Sequence, residues 1–257
     1  MTNEQEVDFW KTIESLNNLE LLPNLVVIGS WAEYLYQDYF ETEYIANIHT
    51  RDLDFLYPNI HKPARKINLI EEMEKLGFVH DNVRDGVSTF YKKDSLEIEF
   101  LTRILGAGDH ISCYIEPIGI KADGIRDLNI FAGNTLAVST HGFTVFVPEP
   151  ACYAIQKILI NPTRLPEYKK GPDIEKVRRL LPHISKDFNQ IKKFSEIYSK
   201  LTKKQIAIFN QVCIDNKLQI CQNIISLGNK LNGLNKNPEK KILQKTQLDD
   251  NAPSPSD

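Results

Sequence analysis

Apolar positions along the first half of the chain alternate between two periods, and each switch marks an element. Val7, Trp10, Ile13, Leu16 and Leu19 recur every third residue, which predicts an amphipathic helix over about residues 4–21. Pro23-Asn24 breaks it. Leu25 to Ile28 is a short unbroken apolar run, read as a strand ending at Gly29. The run from Trp31 to Tyr39 returns to helix, with Ser30 placed to cap it. Residues 41–50 read as a loop, and Asp52 to Tyr57 as the next strand, punctuated by Pro58 and Pro63. A helix follows over 67–76, stopped by Gly77. Residues 78–80, 89–92 and 96–101 read as strands between turn residues. Further strands are expected over 113–121, 125–131, 135–139 and 143–147.

Pro148-Glu-Pro150 marks a change of character. From Ala151 the period is helical throughout, over 151–160, 172–181, 186–198, 202–214 and 217–231. After residue 235 the chain is polar and charged, ending Pro253-Ser-Pro-Ser-Asp257, and cannot bury apolar area. The expected division is therefore an α/β part over 1–148, a helical part over 149–235 and a disordered polar tail over 236–257.

Composition narrows the classes. With 257 residues there is room for one large domain or two modest ones. Hydrophobic residues at 42% and charged residues at 25% predict a packed, soluble core. A net charge of −3 excludes a generally basic nucleic-acid coat, though not a local basic cleft. Cys113, Cys152, Cys213 and Cys221 lack CxxC spacing, which argues against zinc and for small buried side chains in a reducing compartment. His61, His80, His110, His141 and His183 show no metal-ligand spacing either. The first residues lack the basic and apolar regions of a secretory signal, and no apolar run is long enough to span a bilayer. A cytoplasmic protein without membrane contact is expected.

The chemistry is concentrated in Asp52-Leu-Asp54. In a strand, residues i and i+2 share a face roughly 6.6 Å apart. Two such carboxylates beside Leu53, Phe55 and Leu56 are costly without a compensating cation. Hard oxygen ligands of this kind suit Mg²⁺ together with substrate phosphates. Upstream, Gly29 allows close approach to its backbone, the helix beginning near Ser30 offers free N–H groups to phosphate, and the Ser30 hydroxyl can donate to it. Downstream, Glu97 and Glu99 share one strand face, opposite Leu96, Ile98 and Phe100. Either can supply a third carboxylate. Three acids, two metal ions and a triphosphate would make a two-metal phosphoryl-transfer site. Arg51 and Arg103 flank these strands as phosphate contacts or as partners of the carboxylates. His49 precedes the aspartates and either lies near the site or caps a loop. Gly106-Ala-Gly108 is a weak glycine-pair signal for a phosphate loop.

Gly29-Ser30, Asp52-x-Asp54 and the later Glu97/Glu99 resemble the Gly-Ser, Asp-x-Asp and third-acid pattern of the nucleotidyltransferase fold shared with DNA polymerase beta. Ile28-Gly-Ser-Trp-Ala32 with Thr50-Arg-Asp-Leu-Asp-Phe-Leu56 is similar to a bacterial subgroup of nucleotidyltransferase-like proteins. The resemblance covers about residues 20–160. It implies an α+β fold, with a mixed sheet flanked by helices and a helical domain after it. It also implies transfer of a nucleoside monophosphate from an NTP to an acceptor hydroxyl, on RNA, protein or a small molecule, with two Mg²⁺ ions. On that pattern Asp52 and Asp54 bind metal. Glu99, favoured over Glu97 by the setting Ile98-Glu-Phe-Leu101, binds metal and helps deprotonate the acceptor. The spacing between Gly29-Ser30 and Asp52 is longer than in many members, which makes residues 41–50 a feature of the subgroup or the mark of a degraded site.

Lys157 lies in an otherwise apolar helix, where it either reaches a triphosphate or extends its ammonium to solvent. Arg164, Lys169, Lys170, Arg178 and Arg179 form a basic stretch that reads as a solvated face or as a nucleic-acid contact. Besides an active transferase, two readings stand: a catalytically silent nucleotide- or partner-binding module, and the toxin of a two-gene toxin–antitoxin system.

Overall fold

The computed structural model of the chain describes residues 2–41, 44–46, 50–58, 66–104 and 110–235. His49, His61, Gly106, Gly108 and the tail over 236–257 lie outside the described residues, as does part of the loop over 41–50. The chain divides into two compact units, Met1–Gln156 and Lys157–Asp257. The division falls inside the first helix of the helical half.

The first unit opens with α1 (Asn3–Asn18), whose start is a capping box between Thr2 and Gln5. Its apolar stripe buries Phe9, Ile13 and Leu16. β1 (Val26–Ile28) leads into α2 (Gly29–Tyr39). Trp31 of α2 stacks on Phe9 at 4.4 Å between ring centroids, which ties the two helices together. The helix begins one residue before Ser30, with no side-chain cap, so Ser30 sits in its first turn instead of capping it.

A seven-stranded mixed sheet follows, from β2 (Asp52–Leu56), β3 (Val79–Asn82), β4 (Ser88–Tyr91), β5 (Glu97–Arg103), β6 (His110–Ile115) and β7 (Ile120–Ile125), together with β1. The main path is β1-β2-β5-β4-β3, and β7, carrying β6, pairs with the second half of β5. β1 runs antiparallel to β2, and β2 parallel to β5. The short helix α3 (Leu69–Lys75), capped by Asn68, precedes β3. Leu53, Phe55, Ile98 and Phe100 are fully buried on one face, and Phe55 stacks on Phe100 across the parallel pair at 5.4 Å. A two-stranded ribbon, β8 (Thr135–Thr140) and β9 (Phe143–Pro148), completes the sheet structure.

Two expected strands are corrected. The run 113–121 is broken by a 3₁₀ turn over Glu116–Ile118, and Gly119 follows at φ +69°, a left-handed turn that glycine adopts without strain. The run 125–131 is itself a 3₁₀ segment over Arg126–Phe131, held by Asn129 donating to the Ile104 carbonyl at 2.9 Å.

The helical half comprises α4 (Pro150–Ile160), α5 (Lys170–Ile184), α6 (Phe188–Ser199), α7 (Lys203–Asp215) and α8 (Ile220–Asn235). Val177, Leu181, Phe194, Phe209 and Cys221 lie in its core. α6 and α8 approach closely at Gly228, where an added Cβ would stand 2.6 Å from the Ile191 carbonyl oxygen. None of the described helices is long and apolar enough to cross a membrane.

Candidate active site

The parallel pairing of β2 and β5 places Asp52 opposite Glu97 and Asp54 opposite Glu99. Residues two apart share a face, so all four carboxylates lie on the side of the sheet away from Phe55 and Phe100. Neighbouring strands stand about 4.8 Å apart, which makes this a dense block of like charge. Among the described residues, no three His, Cys, Asp or Glu side chains converge closely enough to hold a metal ion as they stand.

Glu99 records the electrostatics of this face. It is half-buried, and its carboxyl is pushed up to about 7. Burial is the main cause, followed by the charges of Asp54, Glu97, Asp52 and Asp123. Asp123 was not singled out by the sequence. It lies on β7 opposite Leu101, on the same face as Glu99. On β7 the buried Ile120, Ala122 and Gly124 alternate with the more exposed Lys121 and Asp123. Thr89 faces Glu99 from β4, and its buried hydroxyl has no hydrogen-bond partner.

Gly29 adjoins the acids directly. Ile28 pairs with Asp54 across β1 and β2, and Gly29 then turns at φ +66° to start α2. A Cβ at Gly29 would fall 2.5 Å from Asp54 Oδ2, so only glycine leaves room for that carboxylate. The first turn of α2, with half-buried Ser30, thus presents its positive end beside Asp54.

The expected basic contacts are engaged elsewhere. Arg51 donates through Nε to the Ser95 carbonyl at 3.2 Å and through Nη2 to the Lys92 carbonyl at 3.3 Å. Arg103, at the far end of β5, donates to the Pro58 carbonyl at 3.2 Å. Lys157 does not extend to solvent. It is buried and pairs with Asp173 at 2.9 Å, and Arg164 holds the other carboxylate oxygen at 3.0 Å. Burial pulls the Lys157 ammonium below its usual range, with Asp173 opposing. Its charge is thus balanced inside the helical unit. Arg178 pairs with Glu175 and donates to the Asn216 carbonyl, which makes this part of the basic stretch a structured helix face.

Comparison with known proteins places this arrangement in context. Two solved structures resemble the chain. One is an antigenic nucleotidyltransferase-like protein from Paracoccidioides brasiliensis, at 14% identity and a TM-score of 0.42, covering 82% of this chain and 94% of that one. The other is the antibiotic-resistance factor ANT(2'')-Ia, at 11% identity and a TM-score of 0.41, covering 94% of this chain and 100% of that one. No curated protein gives a significant match. A family model described as nucleotidyltransferase matches residues 8–196, a span that takes in most of α1, the whole seven-stranded sheet with its acids, and the helices as far as α6. The chain belongs to this nucleotidyltransferase family.

Proposed function

We propose that this chain transfers a nucleoside monophosphate from an NTP to an acceptor hydroxyl at the face formed by Asp52, Asp54 and Glu99. The observation that carries this reading is the register of β2 and β5, which sets Asp54 opposite Glu99 beside the Gly29 turn. The donor set suits Mg²⁺: carboxylates on one face, a half-buried acid raised by burial and then by its like-charged neighbours, and a glycine that leaves room for Asp54 Oδ2. Asp52, Asp54 and Glu99 would hold two such ions, with Glu97 at the exposed edge. When bound, the ions offset the carboxylate charge and polarise phosphoryl oxygens.

The chain's own residues do the rest. The backbone N–H groups of Gly29 and Ser30 bind phosphate at the head of α2. Asp52 and Asp54 would hold the cations that draw the reacting phosphate to this face. Glu99 lies within the same register row and takes the acceptor's proton. The acceptor oxygen forms a bond to the α-phosphorus, the bond from that phosphorus to the β-phosphate bridging oxygen breaks, and pyrophosphate leaves.

Incubation with labelled ATP, CTP, GTP and UTP, Mg²⁺ and cell extract tests the reading. Label on RNA, protein or a small molecule supports it, and the acceptor class is read from where the label lands. Asp52→Asn and Asp54→Asn are each expected to lower transfer by several orders of magnitude, because positioning and electrostatics carry most of phosphoryl transfer. Undiminished transfer in either variant would place the site elsewhere. Bound nucleotide without any transfer would favour a silent binding module.

A further inference from the structure

We infer that Arg51 is a positioning residue, which holds the acid-bearing strands in register through a strut anchored on Asp8, and is not a phosphate contact. This rests on the reading of the acid face given above. Asp52 and Glu97 open β2 and β5 directly opposite one another, and their like charges push the strand ends apart. A slip of one residue at this end would turn every carboxylate of one strand toward the core. The first bond of the ladder is the Glu97 N–H donating to the Arg51 carbonyl at 2.9 Å.

The Arg51 side chain closes over the same point. Its two donors grip the carbonyls of Lys92 and Ser95, the two ends of the turn that joins β4 to β5. That turn is closed by the Ser95 N–H donating to the Lys92 carbonyl at 3.1 Å. From the other side, Asp8 of α1 holds both residues: Oδ2 accepts from Ser95 Oγ at 2.6 Å, and Oδ1 from Lys92 Nζ at 2.8 Å. Gln5 adds a donor to the Ser95 carbonyl at 3.4 Å. Asp8 is 4% exposed and Ser95 is fully buried, so the Asp8 end of the strut is a shielded, charge-assisted network, while Arg51 closes it from the exposed side. It runs from α1 through the β4–β5 turn to Arg51, whose neighbour is Asp52. The guanidinium is suited to this role by its rigid fork, which a lysine ammonium lacks.

The test uses the full chain with Arg51→Lys and Ser95→Ala, each checked for folding by circular dichroism. Arg51→Lys keeps the charge and loses the fork, whereas Ser95→Ala cuts the strut on the Asp8 side. In metal-free protein, hydrogen exchange at the Glu97 amide should quicken about tenfold in both variants, as expected for loss of hydrogen bonds to charged groups, while the Phe100 amide is unchanged. Mn²⁺ affinity, read by electron paramagnetic resonance, should fall by about tenfold or more in both, as when an outer partner of a metal ligand is removed. kcat should fall with it and KM for NTP should hold. Wild-type exchange at Glu97 in either variant overturns the inference. So does wild-type Mn²⁺ affinity in Arg51→Lys with a raised KM, which would make Arg51 a phosphate contact. Failure of the wild-type protein to bind Mn²⁺ or NTP would sink the proposed function, and the exchange measurement would still decide whether the strut sets the register.

Discussion

Replacing Glu99 by Gln should make the metal-free protein more stable while abolishing transfer. The Glu99 carboxyl sits at about 7 in the folded chain, against 4.5 for the unperturbed group. At 1.36 kcal/mol per unit this difference sets a ceiling of about 3.4 kcal/mol on the penalty for keeping Glu99 ionised in the fold. Glu99 is only half-buried, and solvent screening reduces the figure to about 1–2 kcal/mol. A raised carboxyl binds its proton more tightly folded than unfolded, so wild-type stability is lost as pH rises from 4.5 through 7. The gain from Gln is therefore complete above pH 7 and disappears below 4.5, where Glu99 is protonated in both states. Thermal unfolding at pH 8 in EDTA should show a rise of roughly 2–8 °C for a chain of this size. Added Mg²⁺ should raise the wild-type midpoint, through binding to the folded state alone, and leave the Gln variant nearly unmoved. A variant that melts below wild type at pH 8, or whose advantage persists unchanged at pH 4.5, would refute the like-charge argument.

Three other perturbations are expected to separate roles. Gly29→Ala forces a left-handed φ on alanine at about 1–2 kcal/mol, and it drives Asp54 Oδ2 from 2.5 Å out to ordinary contact. A displacement of about an ångström at the site should lower kcat by about a hundredfold, measured in single-turnover transfer. Lys157→Met should cost about 3 kcal/mol in urea unfolding, the low end for breaking a buried pair, because Arg164 stays on Asp173. Its KM for NTP should match wild type, and a tenfold rise with unchanged stability would restore Lys157 as a triphosphate ligand. Gly228→Ala, whose Cβ would meet Ser195 Cβ at 2.5 Å, should destabilise the helical half by about 1–3 kcal/mol, seen as a lowered unfolding midpoint.

Much of the fold follows from periodicity, because each face of these elements sees one environment. The alternation Leu96, Ile98, Phe100 against Glu97 and Glu99 is legible, and it returns in the structure as a buried face and an acid face. Asp123 was not legible, because the expected strands ended at 121 and resumed at 125, on either side of it. The true strand begins after the left-handed turn at Gly119, whose position no apolar pattern announces. Lys157 reads as a free cation along its own helix, since its partner Asp173 lies on α5. Arg51 shows its charge in the sequence but not its direction. Its acceptors are backbone carbonyls, which carry no residue identity.

The acid face and the aromatic face belong to the same two strands, and their energies are comparable. Phe55 and Phe100 stack directly across β2 and β5, one residue on from the Asp54–Glu99 pair. Such a pair contributes about 0.5–1.5 kcal/mol beyond its burial, close to the screened cost of ionising Glu99. The strut from Asp8 acts at the strand entry, where Asp52 faces Glu97 and the backbone ladder has only begun. Repulsion on one side of the sheet is thus met in two places, by aromatic packing behind the inner acid pair and by hydrogen bonding at the outer one. A sheet held this way tolerates acids side by side at the register that sets Asp54 opposite Glu99, while burial and like charge let Glu99 release its proton only at about pH 7.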